Sequence, residues 1–181
     1  YKRQGESVKL LNGETVELTP WYGVICAGDG PECLAGIMGG DRSSISDETT
    51  DLFIESAFWF PKAIQGRCRK LNFSTDAAYR YERGVDYAST AEHLEYITQL
   101  VLDICGTPET KVGPVEDVVA NLPERAPVKM RVDRCCKVVG VDIPLESMEE
   151  SFKRLGFEYT LENGVFTVVP VSYTHLTLPT N

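Results

Sequence analysis

From Val8 to Leu18 apolar and polar residues alternate on either side of Asn12-Gly13, a pair suited to the positive backbone angles of a tight hairpin turn. Two paired strands are predicted there. YGVICA and ECLAGIM read as the next strands, joined by a turn at Asp29-Gly30, and DLFIESAFWF, residues 51–60, as a further strand closed by Pro61. Pro61 suits the start of a short helix through about Lys70. Ser74 or Thr75 can cap a second helix that runs to about Arg83 and stops at Gly84. In ASTAEHLEYITQLVLDIC, Leu94, Ile97, Val101 and Ile104 recur at helical spacing, which predicts an amphipathic helix ending near Gly106 and Pro108.

KVGPVEDVVA then reads as a returning strand, and NLPERAP, residues 121–127, marks a boundary because two prolines and two charges interrupt the apolar pattern. Beyond it come a strand (VKMRV), a short helix near Asp133 to Val139, a helix (LESMEESFKRLG) and a hairpin turned at Asn163-Gly164. The expected fold is mixed α/β (α+β), a β-sheet core with packed helices in residues 1–121 followed by a small α+β domain in residues 122–170. The uncharged stretch VSYTHLTLPTN, residues 171–181, has no useful period and reads as a disordered or non-native tail.

Composition narrows the classes of function. A chain of 181 residues, 43% of them hydrophobic, can bury a core, and no apolar run is long enough for a membrane span. It opens on Tyr1 rather than Met, which points to a piece of a longer protein. The net charge of −9 lies almost wholly before residue 122, and it excludes a broad basic grip on a nucleic-acid backbone. Contact with RNA would have to be local or come from another domain. The cysteines, Cys26, Cys33, Cys68, Cys105, Cys135 and Cys136, form no CxxC pair, and only His93 and His175 are available beside them. They read as reduced, mostly structural thiols of a cytoplasmic protein rather than a zinc site.

Four stretches carry candidate chemistry. If FIESAFW is a strand, Glu55 shares a face with Phe53, Ala57 and Trp59, so its carboxyl must be satisfied locally, carry a raised pKa, or wait for a ligand donor. GIMGGDRSS offers glycines that permit close backbone approach to a ligand and equally permit a tight turn; it is neither a dinucleotide fingerprint nor a Walker loop. STDAAYRYERGVD pairs Asp76 with Arg80 and Tyr79 with Arg83 at i, i+4, which accounts for its charges as an ordinary helix face. It leaves Thr75 and Ala77 at the helix mouth, where backbone donors lack partners. RCRK, residues 67–70, is the one dense basic cluster, either a solvated helix end or a phosphate contact.

AGIMGG, ETTDLFIESAFWF and STDAAYRYERGVD, in this order and at these intervals, closely resemble the B3/B4 region of the bacterial phenylalanyl-tRNA synthetase β subunit, over about Glu6 to Ala120. Pro127 to Pro170 resembles the start of the B5 domain of the same subunit, with weaker motifs. The resemblance implies an editing module that hydrolyses tyrosine wrongly esterified to the phenylalanine tRNA. It places recognition of the tyrosine hydroxyl on Glu55, the pocket glycines on Gly36 and Gly39, and the hydroxyl-bearing and small pocket residues on Thr75 and Ala77. Water attack on the ester would then rely on positioning and oriented donors, since no residue of the sequence stands out as a general base. The parent would be an α2β2 ligase that uses ATP and magnesium, with aminoacylation on the α subunit and neither cofactor held here.

The same resemblance implies further pocket residues upstream of the glycine motif, a histidine among them, and a magnesium site in a PSxRxD-like segment and an acidic helix. After Pro170 this chain reads VSYTHLTLPTN in that place. The competing expectation is a non-catalytic scaffold for tRNA docking or subunit contact, in which Glu55 is merely structural.

Overall fold

A computed structural model of the chain describes residues 5–28 and 30–173. It divides into two compact units, Tyr1–Asp117 and Val118–Asn181, and its mixture of helices with small antiparallel sheets is the expected α+β class.

The first unit begins with the predicted hairpin. β1 (Ser7–Lys9) and β2 (Thr15–Glu17) pair antiparallel with Val8 opposite Val16, and both valines point into the core. Gly13 takes φ +86, the conformation that this turn requires. β3 (Val24–Ala27), β4 (Gly30–Leu34) and β5 (Met38–Gly39) form a three-stranded antiparallel sheet in that order. The turn between β3 and β4 was expected at Asp29-Gly30. Gly30 already belongs to β4, and Asp29 lies outside the described residues. A bridge between Leu10 and Gly40 ties the hairpin to the end of β5.

Four short and long helices follow. α1 (Pro61–Ile64) and α2 (Arg67–Leu71) replace the single helix expected through Lys70, because Gly66 between them sits at φ +74 and breaks the run. α3 (Asp76–Tyr81) and α4 (Thr90–Cys105) occupy the predicted places. Val8, Leu10, Leu34, Ile37, Ile64 and Ala78 centre the core of this unit, with Trp59, Cys68 and Tyr81 packed against it.

Two predicted strands do not form. Residues 51–60 and 111–120 carry no regular structure. Alternation states which side chains a strand would bury, but a strand also needs a neighbour to accept and donate its ladder bonds. Among the described residues neither segment is paired in a sheet. Residues 109–122 are all exposed, and Phe53 is 97% exposed. α4 follows its predicted phase only loosely: Leu94 and Val101 are half-buried, whereas Ile104 is 79% exposed.

The second unit matches its sequence more closely. β6 (Val128–Arg131), β7 (Glu158–Glu162) and β8 (Val165–Val169) make an antiparallel sheet in the order β6-β8-β7. Asn163 and Gly164 both take positive φ at the hairpin turn, as an Asn-Gly pair favours. α5 (Val132–Val139) and α6 (Leu145–Arg154) accompany this sheet, whose inward residues Phe166 and Val168 join Met148 and Phe157 in a core. Residues 171–173, read from sequence as part of a tail, are tied in: Val171 packs against this core, and the Arg125 guanidinium donates to the carbonyls of Val171 and Ser172. The rest of that stretch, residues 174–181 with His175, lies outside the described residues.

Candidate functional site

The glycine stretch forms a turn. Leu34 and Ile37 close it through Ile37 N–H donating to Leu34 C=O at 3.0 Å, with Gly36 at φ +66. A Cβ at Gly36 would stand 2.7 Å from Cδ1 of Trp59 and 3.0 Å from Cδ1 of Ile64, so the absent side chain makes room for the indole. Gly39 is different. Its Cβ would meet only Leu11, at 3.0 Å, and its carbonyl accepts from Leu11 N–H at 3.0 Å.

α3 is attached to this turn by one hydroxyl. Thr75 caps the helix, accepting from Ala78 N–H at 3.1 Å, while its Oγ1 donates to the Ile37 carbonyl at 2.7 Å. The cap fixes the helix mouth against the glycine turn. Thr75→Val is therefore expected to cost about 1–2 kcal/mol in urea unfolding, with Thr75→Ser close to the original. Equal stability of the valine variant would contradict this role.

The alanines behind the cap divide between solvent and core. Ala78 is 2% exposed, whereas Ala77 faces outward. The charges of this helix behave as a surface face: Arg80 lies 3.7 Å from Asp76, and the Arg83 guanidinium sits 3.6 Å from the centre of the Tyr79 ring.

Glu55 sits in an irregular segment held at three nearby points. Tyr81, on the core-facing side of α3, donates its phenol to the Ala57 carbonyl at 3.0 Å. Ser56 donates to the Thr90 carbonyl at 3.0 Å, and Trp59 lies against Gly36. The apolar wall expected around Glu55 is thus altered: Trp59 packs inward, but Phe53 projects into solvent because no ladder holds the strand's alternation.

As a residue Glu55 is open to solvent, yet desolvation by its surroundings pushes its carboxyl above the usual carboxylate range. Among the described residues it has no hydrogen-bond or ion-pair partner. Its charge reaches Cys33 and Tyr81, both of which have pKa values raised first by burial and then by Glu55. A carboxyl with a raised pKa, half in water and without a donor, is the arrangement of a group ready to accept a hydrogen bond from outside the chain.

Of the five residues singled out from sequence, the structure joins Thr75 to the Gly36 turn directly, and Glu55 lies in the segment whose Trp59 packs against Gly36. Gly39 belongs to the hairpin junction, and Ala77 makes no described contact with Glu55. Tyr81 and Cys33 were not anticipated as neighbours of Glu55. The spacing of Ala78 and Tyr81 on one helix face was a usable sign that Tyr81 points inward. Tyr81→Phe should loosen the Glu55 segment at a cost of about 0.5–1.5 kcal/mol in urea unfolding, since one partly buried hydrogen bond is lost. An unchanged unfolding midpoint would show that the phenol does not anchor it.

The buried Trp59 Nε1 has no hydrogen-bond partner among the described residues. No group of three or more His, Cys, Asp and Glu is placed to hold a metal ion among them, and no described helix is long and apolar enough to cross a membrane. All six cysteines are free thiols.

Residues 1–106 match the model of the B3/4 domain family. The chain is 54% identical over 171 residues to the phenylalanine–tRNA ligase beta subunit of Burkholderia lata, covering 94% of this chain and 21% of that relative. The corresponding proteins of Ralstonia nicotianae and Bordetella pertussis are each 48% identical, over 94% and 96% of this chain and 21% of theirs. The chain thus spans about a fifth of the length of the curated relatives it matches.

Proposed function

The chain belongs to the B3/4 domain family, with phenylalanine–tRNA ligase beta subunits as its relatives, and from that premise we propose that its first unit is an editing module that hydrolyses tyrosine esterified to the phenylalanine tRNA. The observation that carries this reading is Glu55, a carboxyl of raised pKa with no described donor, in the segment whose Trp59 packs against Gly36. A synthetic pocket built for phenylalanine discriminates only about a hundredfold against an isostere that adds a hydroxyl. A second site that requires the hydroxyl supplies the missing selectivity.

On this reading the Glu55 carboxylate accepts the phenolic O–H of tyrosine. Phenylalanine leaves the carboxylate desolvated without a donor, a penalty of about 1–3 kcal/mol. Gly36, Gly39, Thr75 and Ala77 shape the space around the ring, with Thr75 holding the helix mouth to the glycine turn. Water attacks the ester carbonyl, the tRNA hydroxyl leaves, and no side chain here is assigned as general base. The chain contributes by fixing the substrate.

The same reading makes the chain part of a cytoplasmic ATP- and magnesium-dependent ligase, whose α subunit carries the aminoacylation site and assembles with it as α2β2. The unit from Val118 onward is then the beginning of a B5 domain. Deacylation of tyrosine- and phenylalanine-charged tRNA by the ligase carrying this sequence tests the proposal. Tyrosine ester should be hydrolysed preferentially, and Glu55→Ala should lose that preference; equal hydrolysis of both esters by the unmutated protein would sink it.

A further inference from the structure

Between Glu55 and Asp76 the chain contains no acidic residue and four cations, Lys62, Arg67, Arg69 and Lys70, in a unit that is otherwise acidic. Three of them fall on the five residues of α2. Trp21 stands beside that helix, 58% exposed, with Lys70 Nζ 4.0 Å and the Arg67 guanidinium 5.3 Å from its ring centre. Arg67 is fixed in place, donating from Nε to the Trp21 carbonyl at 3.2 Å and from Nη1 to the Gln65 carbonyl at 2.8 Å. Arg69 and Lys70 are exposed, and among the described residues neither has a carboxylate partner.

We propose that Trp21, Arg69 and Lys70 form a contact for single-stranded RNA, with a base on the indole and phosphates on the two cations. This rests on the reading above that tRNA is the partner. Like charges three residues apart on one helix repel each other, and no described carboxylate relieves the repulsion. An anionic ligand does. Cation–π contact with Lys70 and Arg67 explains why the ring is held in place. It does not explain the large exposed face or the unpaired Arg69. An exposed aromatic ring ringed by cations is the combination that binds unpaired nucleotides without regard to sequence, by stacking and backbone neutralisation. An acidic protein surface would use the charges and leave the indole without a role. The location also meets the constraint set by a net charge of −9, that any grip on RNA be local.

Fluorescence anisotropy with a labelled single-stranded RNA dodecamer of mixed sequence tests the assignment on the full chain. Arg69→Ala/Lys70→Ala is expected to weaken binding about tenfold and lower the salt slope by roughly 1.4, the loss of two phosphate contacts. Trp21→Ala should weaken it about tenfold with an unchanged slope, and Trp21→Phe should retain most of the affinity. If Trp21→Ala does not fold, the double variant and Trp21→Phe carry the test. Unchanged binding by the folded double variant, equal binding of the RNA as a duplex, or equal displacement by polyglutamate would each overturn the proposal. Glu55→Ala should leave this binding unchanged. Failure of the patch is therefore read separately from failure of the editing assignment, which appears in tyrosine discrimination alone.

Discussion

Gly36→Ala is expected to destabilise the first unit by about 2–4 kcal/mol, the sum of a left-handed backbone angle and an overpacked contact. The angle is φ +66, and the added Cβ would lie 2.7 Å from the Trp59 ring, where two neighbours rather than one must move. Urea unfolding followed by tryptophan emission reads both consequences, a lower midpoint and a displaced indole. Gly39→Ala is the internal comparison. Its Cβ meets the flexible end of Leu11 and its backbone angle is ordinary, so the expected loss is smaller, below about 1 kcal/mol. Equal effects at the two glycines would mean that the Gly36 turn does not hold Trp59, and with it the segment bearing Glu55.

The elements that were legible in the sequence are those whose cause is local. Asn163-Gly164 turns its hairpin on two positive backbone angles and Asn12-Gly13 on one, at Gly13, and Thr75 caps α3 because its hydroxyl reaches the Ala78 amide within the same turn. The paired charges of STDAAYRYERGVD behave as read for the same reason. Residues 51–60 and 111–120 show the converse. Their alternation is clear, but a strand is defined by a partner that the segment's own residues do not specify.

The candidate site divides along the same line. Glu55 was recognisable as a carboxyl placed among apolar residues, and its raised pKa follows that expectation in direction. The composition of its surroundings was not recognisable. Tyr81 and Cys33 approach it from other elements, and Phe53, two residues away, faces solvent. Helical phase likewise decides that Ala78 rather than Ala77 enters the core, a distinction that the adjacent alanines hide.

The second large effect belongs to Glu55 itself. Its substitution by alanine should cost recognition rather than stability, because the carboxyl has no described partner to strand. A raised pKa also fixes the sign of the pH dependence. The ionised form that accepts the phenol proton is complete above the raised pKa and is lost as pH falls through it, so preference for tyrosine should narrow on acidification. Glu55→Ala should show no such dependence.

Titration calorimetry of this chain with L-tyrosine and with L-phenylalanine at neutral pH addresses the central claim most directly. Tyrosine is expected to bind roughly fivefold to a hundredfold more tightly than phenylalanine, corresponding to about 1–3 kcal/mol for one satisfied hydroxyl, with the difference abolished in Glu55→Ala. Equal affinity for the two amino acids, or discrimination that survives Glu55→Ala, would contradict the account.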